Sequence, residues 1–251
     1  MKLLDKAKRQ FTELITKRGL TPAGIERAAT GLSPEEVIGN PKRQDYPLLT
    51  GEEVMIEAEF RGYRGQAFTD HPGEFSGSLQ EVINLSIAES SYHRALLVAS
   101  INAVLRSLEL VERTVHCRDQ EMEMCVEKIV NWVDSEYPGA KKIGIIGFQP
   151  ALLESFSKSH GPENVLNTDL HPDRIGKIKY GIKVWDGATR GEELIREAEF
   201  ILGTGSTITN GTIDGLVNHF NKYEKPYRFY GNTISGVAYL LGLPQLCFHG
   251  R

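Results

Sequence analysis

KKIGIIGF, residues 141–148, decides the fold. A short unbroken apolar run of this kind marks a strand covered on both faces, which is the habit of parallel sheets. The residues that follow keep the same grammar. A helix is predicted over about 150–159, and NVLNTDL (164–170) and IKVWD (182–186) read as second and third strands. GEELIREA (191–198) reads as a helix, and EFILGTGS (199–206) as a fourth strand running into a Gly/Thr/Ser loop. TNGTIDGLVNHF (209–220) opens another helix, and RFYGNTISG (228–236) is a late strand. Strands alternating with helices imply parallel pairing through right-handed crossovers. Residues 139–251 therefore predict a Rossmann-like, mainly parallel α/β domain with 143–147 as a central strand.

Upstream the character differs. Glu136 to Lys142 is polar and contains Pro138 and Gly139, which places a domain boundary there and assigns 1–138 to a smaller α+β domain. Leu4, Ala7, Phe11, Leu14 and Ile15 recur at helical spacing, and the helix is expected to end at Gly19. The Gly- and Pro-rich stretch 30–50 reads as loop. EEVMIEAEF (52–60) alternates as a strand does, Gly62 turns the chain, and GQAFTD (65–70) returns, with 71–77 again a loop. Helices are predicted over 79–89, 92–108 and 119–135. The second is apolar around most of its circumference and should be central. The third places Met122, Val126, Ile129 and Val133 on one face.

Composition narrows the partners. The chain has 251 residues, 40% apolar and 25% charged, as expected of a globular protein. With 33 acidic against 29 basic residues its net charge is -4, which supplies no basic face for nucleic acid and no attraction to an anionic membrane. The charged N-terminal helix lacks the apolar core of a signal peptide, and no stretch approaches the roughly 18 apolar residues of a membrane span. A cytoplasmic location is the expectation. Three scattered cysteines are too few for a disulfide framework. The sequence leaves a homo-oligomer open.

The sharpest local feature is Gly203-Thr204-Gly205-Ser206-Thr207-Ile208-Thr209-Asn210-Gly211-Thr212. It follows a strand and leads into a helix expected to begin near Thr209 or Asn210. Helix amides and the positive end of the macrodipole converge at such a place, and anions bind there. A valine at Gly205 would then block the ligand and spare the fold. The same string also fits a turn and an N-cap that need no ligand. The turn Gly144-Ile145-Ile146-Gly147-Phe148-Gln149-Pro150 is not G-x-G-x-x-G, so a dinucleotide fingerprint is absent. Asp169 closes the second strand where an acidic residue often meets a ribose, yet Asp169-Leu170-His171-Pro172 also fits a capped turn. Asn102, on the apolar helix, either ties down a loop or faces a cleft. Arg61 and Arg64 on the hairpin either face an anion or are solvated. His116, Cys117 and Cys125 match no zinc template, and Cys125 shares a stripe with Met122 and Ile129, so the three are not expected to share one ion. Cys117 precedes a helix and could carry a lowered thiol pKa.

GQAFTD (65–70), the helix containing INAV (101–104), the following His116-Cys117 and GTGSTITNGT (203–212) occur in this order. In these strings the chain resembles the prokaryotic putative heavy-metal chelation family. The resemblance implies an N-terminal domain like that of enolase joined to a Rossmann-like domain, with a site between them. It also implies a role with heavy metals or metal-containing small molecules. It does not specify a reaction, cofactor or metal ligand.

The residues lead to a small-ligand binding protein or enzyme with its site between the two domains. The ligand would be a small anionic molecule or a metal chelate held by Gly203 to Thr212, with Asp169, Asn102 and the Gly147 turn adding contacts. A transferase or hydrolase using a nucleotide-like cofactor, with Asp169 on a ribose and Gly147 under an adenosine, is the alternative from another class. A non-catalytic interaction module is the third. No Ser/His/Asp ordering or carboxylate pair names a reaction.

Overall fold

A computed structural model describes residues 2–28, 31–51 and 53–251. Residue 30 of the expected loop and residue 52 of the expected strand lie outside the described residues. The chain opens with helix α1 (Lys2–Lys17), strand β1 (Gly24–Ala28), helix α2 (Pro34–Ile38), and strands β2 (Val54–Phe60), β3 (Tyr63–Thr69) and β4 (Phe75–Ser78). Helices α3 (Leu79–Asn84), α4 (Ser91–Ser107) and α5 (Glu121–Glu136) follow. The second half runs β5 (Ile143–Ile146), α6 (Pro150–His160), a 3-10 turn at Pro162–Asn164, β6 (Val165–Asp169), β7 (Ile178–Lys179), β8 (Ile182–Asp186) and α7 (Gly187–Glu197). It ends with β9 (Phe200–Thr204), α8 (Thr207–Asn210), α9 (Ile213–Lys222), β10 (Tyr227–Tyr230), α10 (Ser235–Leu241) and β11 (Gln245–Leu246).

The central-strand expectation is met. The larger sheet has the order β11-β10-β9-β5-β6-β8-β7, and all four residues of β5 are buried. Every pairing in it is parallel except the β7–β8 hairpin at one edge. Renumbered within this sheet, the parallel strands stand in the 3-2-1-4-5-6 order of Rossmann folds, so strand order reverses between β5 and β9. The smaller sheet, β3-β2-β1-β4, is antiparallel.

Side chains of each strand alternate between two hydrophobic clusters. Ile143, Ile145, Phe200 and Leu202 point into one with Val126, Ile129 and Val133 of α5 and Phe156 of α6. Ile146, Ile201 and Phe229 point into the other with α1, α4, α7, α9 and α10. Both clusters cross the 138/139 position: α5 covers one face of the larger sheet, and α1 and α4 reach the other. The α5 stripe predicted from Met122, Val126, Ile129 and Val133 is the buried face.

Helix α4 is the hub. Every residue from Ala95 to Leu105 is buried, as its apolar circumference requires. Strand β3 lies directly on it: a Cβ at Gly65 would collide with the Ala99 carbonyl and the Ala103 amide. Asn102, fully buried at this contact, spends its whole carboxamide. Its Nδ2 donates to the carbonyls of Gln66 (3.0 Å) and Thr233 (3.0 Å), and its Oδ1 accepts from the Gly236 amide (2.7 Å). One side chain therefore ties β3, α4 and the entry to α10.

The expected late strand 228–236 is corrected: β10 stops at Tyr230, Gly231 turns with φ 94°, and α10 begins at Ser235. The expected helix over 209–220 is two helices, because Gly211 at φ 86° breaks it into α8 and α9. Within the expected loops lie α2, a five-residue helix closed by a Ser33/Glu36 capping box, and the short strand β4. Neither is long enough to show periodicity. Strand β1 also carries too little apolar alternation to be read. Among the described residues no helix is long and apolar enough to cross a membrane.

Replacing Asn102 by Ala strands two carbonyls and an amide in the core. The substitution should lower unfolding free energy by about 2–4 kcal/mol. Urea denaturation of both proteins checks it, and a change under about 0.5 kcal/mol would show that the tie is dispensable.

Candidate functional site

A cavity of about 470 Å³ opens beyond the carboxyl ends of β5, β6, β9 and β10. This is where open α/β sheets place ligands, because strand order reverses there and the flanking loops part. The larger sheet contributes Gly147–Gln149, Thr168–Pro172, Thr204–Thr207 and Tyr230–Thr233. The first half of the chain closes the other side with Glu53, Phe68–Asp70, Ser91, His116, Cys117 and the inner face of α5.

The loop after β5 is held by the protein's own groups. Gly147 has φ 92°, and a Cβ there would lie 2.6 Å from Thr204 Cγ2, so glycine alone lets this turn pass against the end of β9. Its amide donates to Thr168 O, and the Phe148 amide donates to Asp169 Oδ2 at 2.7 Å. The other Asp169 oxygen accepts the His171 amide at 2.8 Å, and Arg174 Nη1 lies 3.4 Å from Oδ2. Arg174 also meets Glu53 at 3.6 Å and stacks its guanidinium over Phe148 at 5.1 Å. Both Asp169 oxygens are thus engaged by the protein. These contacts fit the capped-turn reading of Asp169.

The loop after β9 is rich in hydroxyls, but many of its polar groups fold back on themselves. Thr207 Oγ1 donates to Thr204 O (2.8 Å), Thr209 Oγ1 donates to Ser206 O (2.8 Å), and the Thr204 and Ser206 hydroxyls pair at 3.0 Å. The amides of Ile208, Thr209 and Asn210 are bonded to Gly205 and Ser206 carbonyls. Asn210 Oδ1 accepts from the Thr212 amide and hydroxyl. The loop therefore offers hydroxyls to a ligand more than an array of amides, because the four-residue α8 consumes the amides that a longer helix would present.

Of the residues singled out from sequence, Gly147, Asp169, Thr204, Gly205, Ser206, Thr207, Asn210 and Thr212 come together around the cavity. Gly203, Gly211 and Asn102 are not among its lining residues. Gly203 packs on Phe229, Gly211 supplies the left-handed break, and Asn102 is the structural tie described above. Arg61 and Arg64 are not lining residues either: Arg61 lies over the Phe60 ring and Arg64 approaches Glu57 at 3.8 Å. His116 and Cys117 do line it, with Cys125 and Cys247.

Sequence reasoning missed Glu53, Asp70, Thr168, Arg174, Tyr230 and Asn232. Thr168, Tyr230 and Asn232 follow from the rule that placed the other loops, since each stands at a strand's carboxyl end. Thr168 and Asn232 are almost wholly buried, and each keeps a side-chain oxygen without a protein partner. Glu53, Asp70 and Arg174 carried no such signal. For Asp70, partial burial works upward, but hydrogen bonds from Ser91 and His71 outweigh it and hold the carboxyl below its usual range. Burial raises the Tyr230 phenol far above its ordinary value and keeps it protonated.

His116 Nδ1 contacts the Cys117 carbonyl at 2.7 Å, an acceptor, so the ring carries its proton there and leaves Nε2 as a lone pair. Withdrawal from water lowers its pKa below the ordinary 6.5, with that carbonyl opposing.

The family model described as Putative heavy-metal chelation (DUF364) matches residues 131–226, which bears out the resemblance drawn from the motifs. The matched span holds GTGSTITNGT but not GQAFTD. A DUF364-family protein of unknown function from Pyrococcus horikoshii is similar in structure, with TM-score 0.55 and 17% identity over 92% of this chain and 79% of that one. Another of unknown function from Desulfitobacterium hafniense has TM-score 0.53 and 12% identity, over 96% and 82% of the two chains. At these identities the likeness is one of fold. No curated protein matches.

Two outcomes follow from this geometry. A Cβ at Gly205 would lie 3.0 Å from Ile234 Cγ2 and from Tyr230 O, so packing as well as the cavity constrains this glycine, and valine there is expected to strain the fold rather than spare it. Gly205→Val should cost about 1–3 kcal/mol of stability, and an unchanged thermal midpoint would contradict the tight fit. For His116, the unfolded chain binds a proton near pH 6.5 while the folded ring stays neutral to lower pH. Its contribution to stability is present above pH 6.5 and lost as pH falls below it. His116→Asn keeps a donor for the Cys117 carbonyl, and its unfolding free energy should fall less steeply than wild type below pH 6.5. Parallel slopes would deny the burial of a neutral ring.

Proposed function

We propose that the cavity binds a metal chelate, a metal ion wrapped in a small carboxylate-bearing molecule. One observation carries the reading: hydroxyls of the loop after β9 share a single cavity with Glu53, Asp70 and Asp169, while among the described lining residues Arg174 is the one lysine or arginine. Three carboxylates against one guanidinium disfavour a bare anion. At about 8 Å and an effective dielectric near 20, each carboxylate repels an anionic group by about 2 kcal/mol. A metal ion inside the chelate cancels most of the chelate's own negative charge, and with it most of that repulsion, while its remaining carboxylate oxygens accept from the paired Ser206 and Thr204 hydroxyls and from Arg174. The family description supports the same class of ligand. A nucleotide cofactor is disfavoured because Asp169 already takes the Phe148 amide of the first turn.

Calorimetry with three probes tests this. Exchange-inert Co(III)–EDTA carries both metal and carboxylates, citrate carries carboxylates alone, and hexaamminecobalt(III) carries cationic charge alone. Only the first should bind measurably. Ser206→Asp adds an anion at the mouth on a half-buried side chain and should weaken that binding by about tenfold or more. Equal or tighter binding of citrate or of hexaamminecobalt(III) would replace the chelate with a simple anion or cation.

A further inference from the structure

The segment 39–51 runs from helix α2 toward strand β2 and is bounded by two glycines in the left-handed region, Gly39 at φ 67° and Gly51 at φ 74°. Between them Tyr46, Pro47 and Leu48 are buried, and all three line the cavity. Tyr46 and Leu48 share a hydrophobic cluster with Met122 and Ile129 of α5, which line it too. The segment is therefore a strap that walls off the apolar end of the cavity, next to α5.

Side chains hold the strap in place. Among the described residues no backbone hydrogen bond links 41–49 to another element, and the Tyr46 carbonyl accepts only from Leu49 and Thr50 of the strap itself. Arg43 is the anchor. Its guanidinium donates to Asp45 Oδ1 (3.1 Å), to the Tyr180 hydroxyl (2.5 Å) and to Glu154 of α6. The Tyr180 hydroxyl donates in turn to Asp45 Oδ2 (2.6 Å), and the guanidinium lies over the Tyr180 ring at 5.6 Å. Tyr180 sits in the β7–β8 turn, where its carbonyl accepts from Ser157 of α6 (2.7 Å), so hairpin and helix form one fixed keeper. The Tyr46 hydroxyl adds a bond of 3.1 Å to Glu123 of α5.

A segment paired through its backbone opens only with the elements it pairs with. One held by a side-chain cluster opens when that cluster parts, while sheet and helices stay folded. Charge-assisted bonds of a half-buried guanidinium favour the closed arrangement. Glycines at both ends have the backbone freedom to absorb the change.

We propose that residues 39–51 are a lid over the cavity, hinged at Gly39 and Gly51 and latched by Arg43 onto Glu154 and Tyr180. Opening admits solvent and solute to the apolar end beside α5, and closure excludes water from it. The lid stands apart from the chelate reading, because it governs access and not the identity of what enters.

The cysteines supply a test that needs no ligand. Cys117, Cys125 and Cys247 are buried and line the cavity, so their labelling by methyl methanethiosulfonate reports its opening. Labelling is followed by mass spectrometry across urea concentrations below the unfolding transition. The wild type should label slowly, with a urea dependence well below that of global unfolding, because a local opening exposes little surface. Arg43→Ala removes the charge-assisted bonds and should speed labelling about tenfold or more. Tyr180→Phe keeps the ring, loses one hydroxyl, and should speed it about threefold or more. Lys222→Ala breaks an exposed ion pair with Glu192 on the far face of the larger sheet and should leave the rate within about twofold. Wild-type labelling at the rate of an exposed thiol, or with the full urea dependence of unfolding, would overturn the lid. So would wild-type rates in folded Arg43→Ala and Tyr180→Phe, and Tyr180→Phe decides the matter where Arg43→Ala fails to fold.

Discussion

The carboxamide of Asn102 holds the architecture together. It sits on the most buried helix, and its donors and acceptor are divided between strand β3, the Asn232–Thr233 turn and the first turn of α10. Buried backbone groups at three chain crossings must find partners, and one amide side chain supplies them. Close approach is secured by glycine on both sides, at Gly65 of β3 and at Gly236 of α10, where any side chain would strike α4 or Asn102 itself. The two sheets are thereby fixed relative to each other, and so is the space between them.

That space lies where a Rossmann sheet would receive a dinucleotide, yet the protein has closed the usual cradle from within. Asp169 takes the Phe148 amide, and the short α8 turns its amides back on its own carbonyls. What remains is a chamber with hydroxyls at one wall, three carboxylates and an arginine around it, and sulfur at the other wall. Fold and site have separated here: strand order is retained, while the chemistry at its switch point is different.

The cavity lining combines carboxylates with sulfur. Under the proposed function the carboxylates meet a metal already dressed by oxygen donors, so the hydration of both partners is only partly lost. The thiols of Cys117 and Cys125 lie among Met122, Val126 and Ile129 in an apolar cluster. Burial pushes the Cys247 thiol up to about 12, and the Cys125 thiol is raised as well, first by its interaction with Cys117 and then by burial, so both are protonated near neutral pH.

The sequence by itself determined the layers. The KKIGIIGF run, the α4 circumference and the α5 stripe each express burial through local periodicity, which is a property of neighbouring residues. It also located the loops at strand ends, since the carboxyl-end rule needs only strand direction, and Asp169, Gly147 and Ser206 were legible for that reason. Short elements such as α2, β1 and β11 escaped because a few residues hold no period. Only the tertiary structure decided which polar groups remain for a ligand. Asn102 and Asp169 are spent on backbone partners at chain crossings or turns that spacing does not reveal. The meeting of Glu53 with Arg174, and of Cys117, Cys125 and Cys247, joins residues far apart in the chain. Their proximity is fixed by how helices and sheets pack, a long-range geometric result that no local pattern encodes.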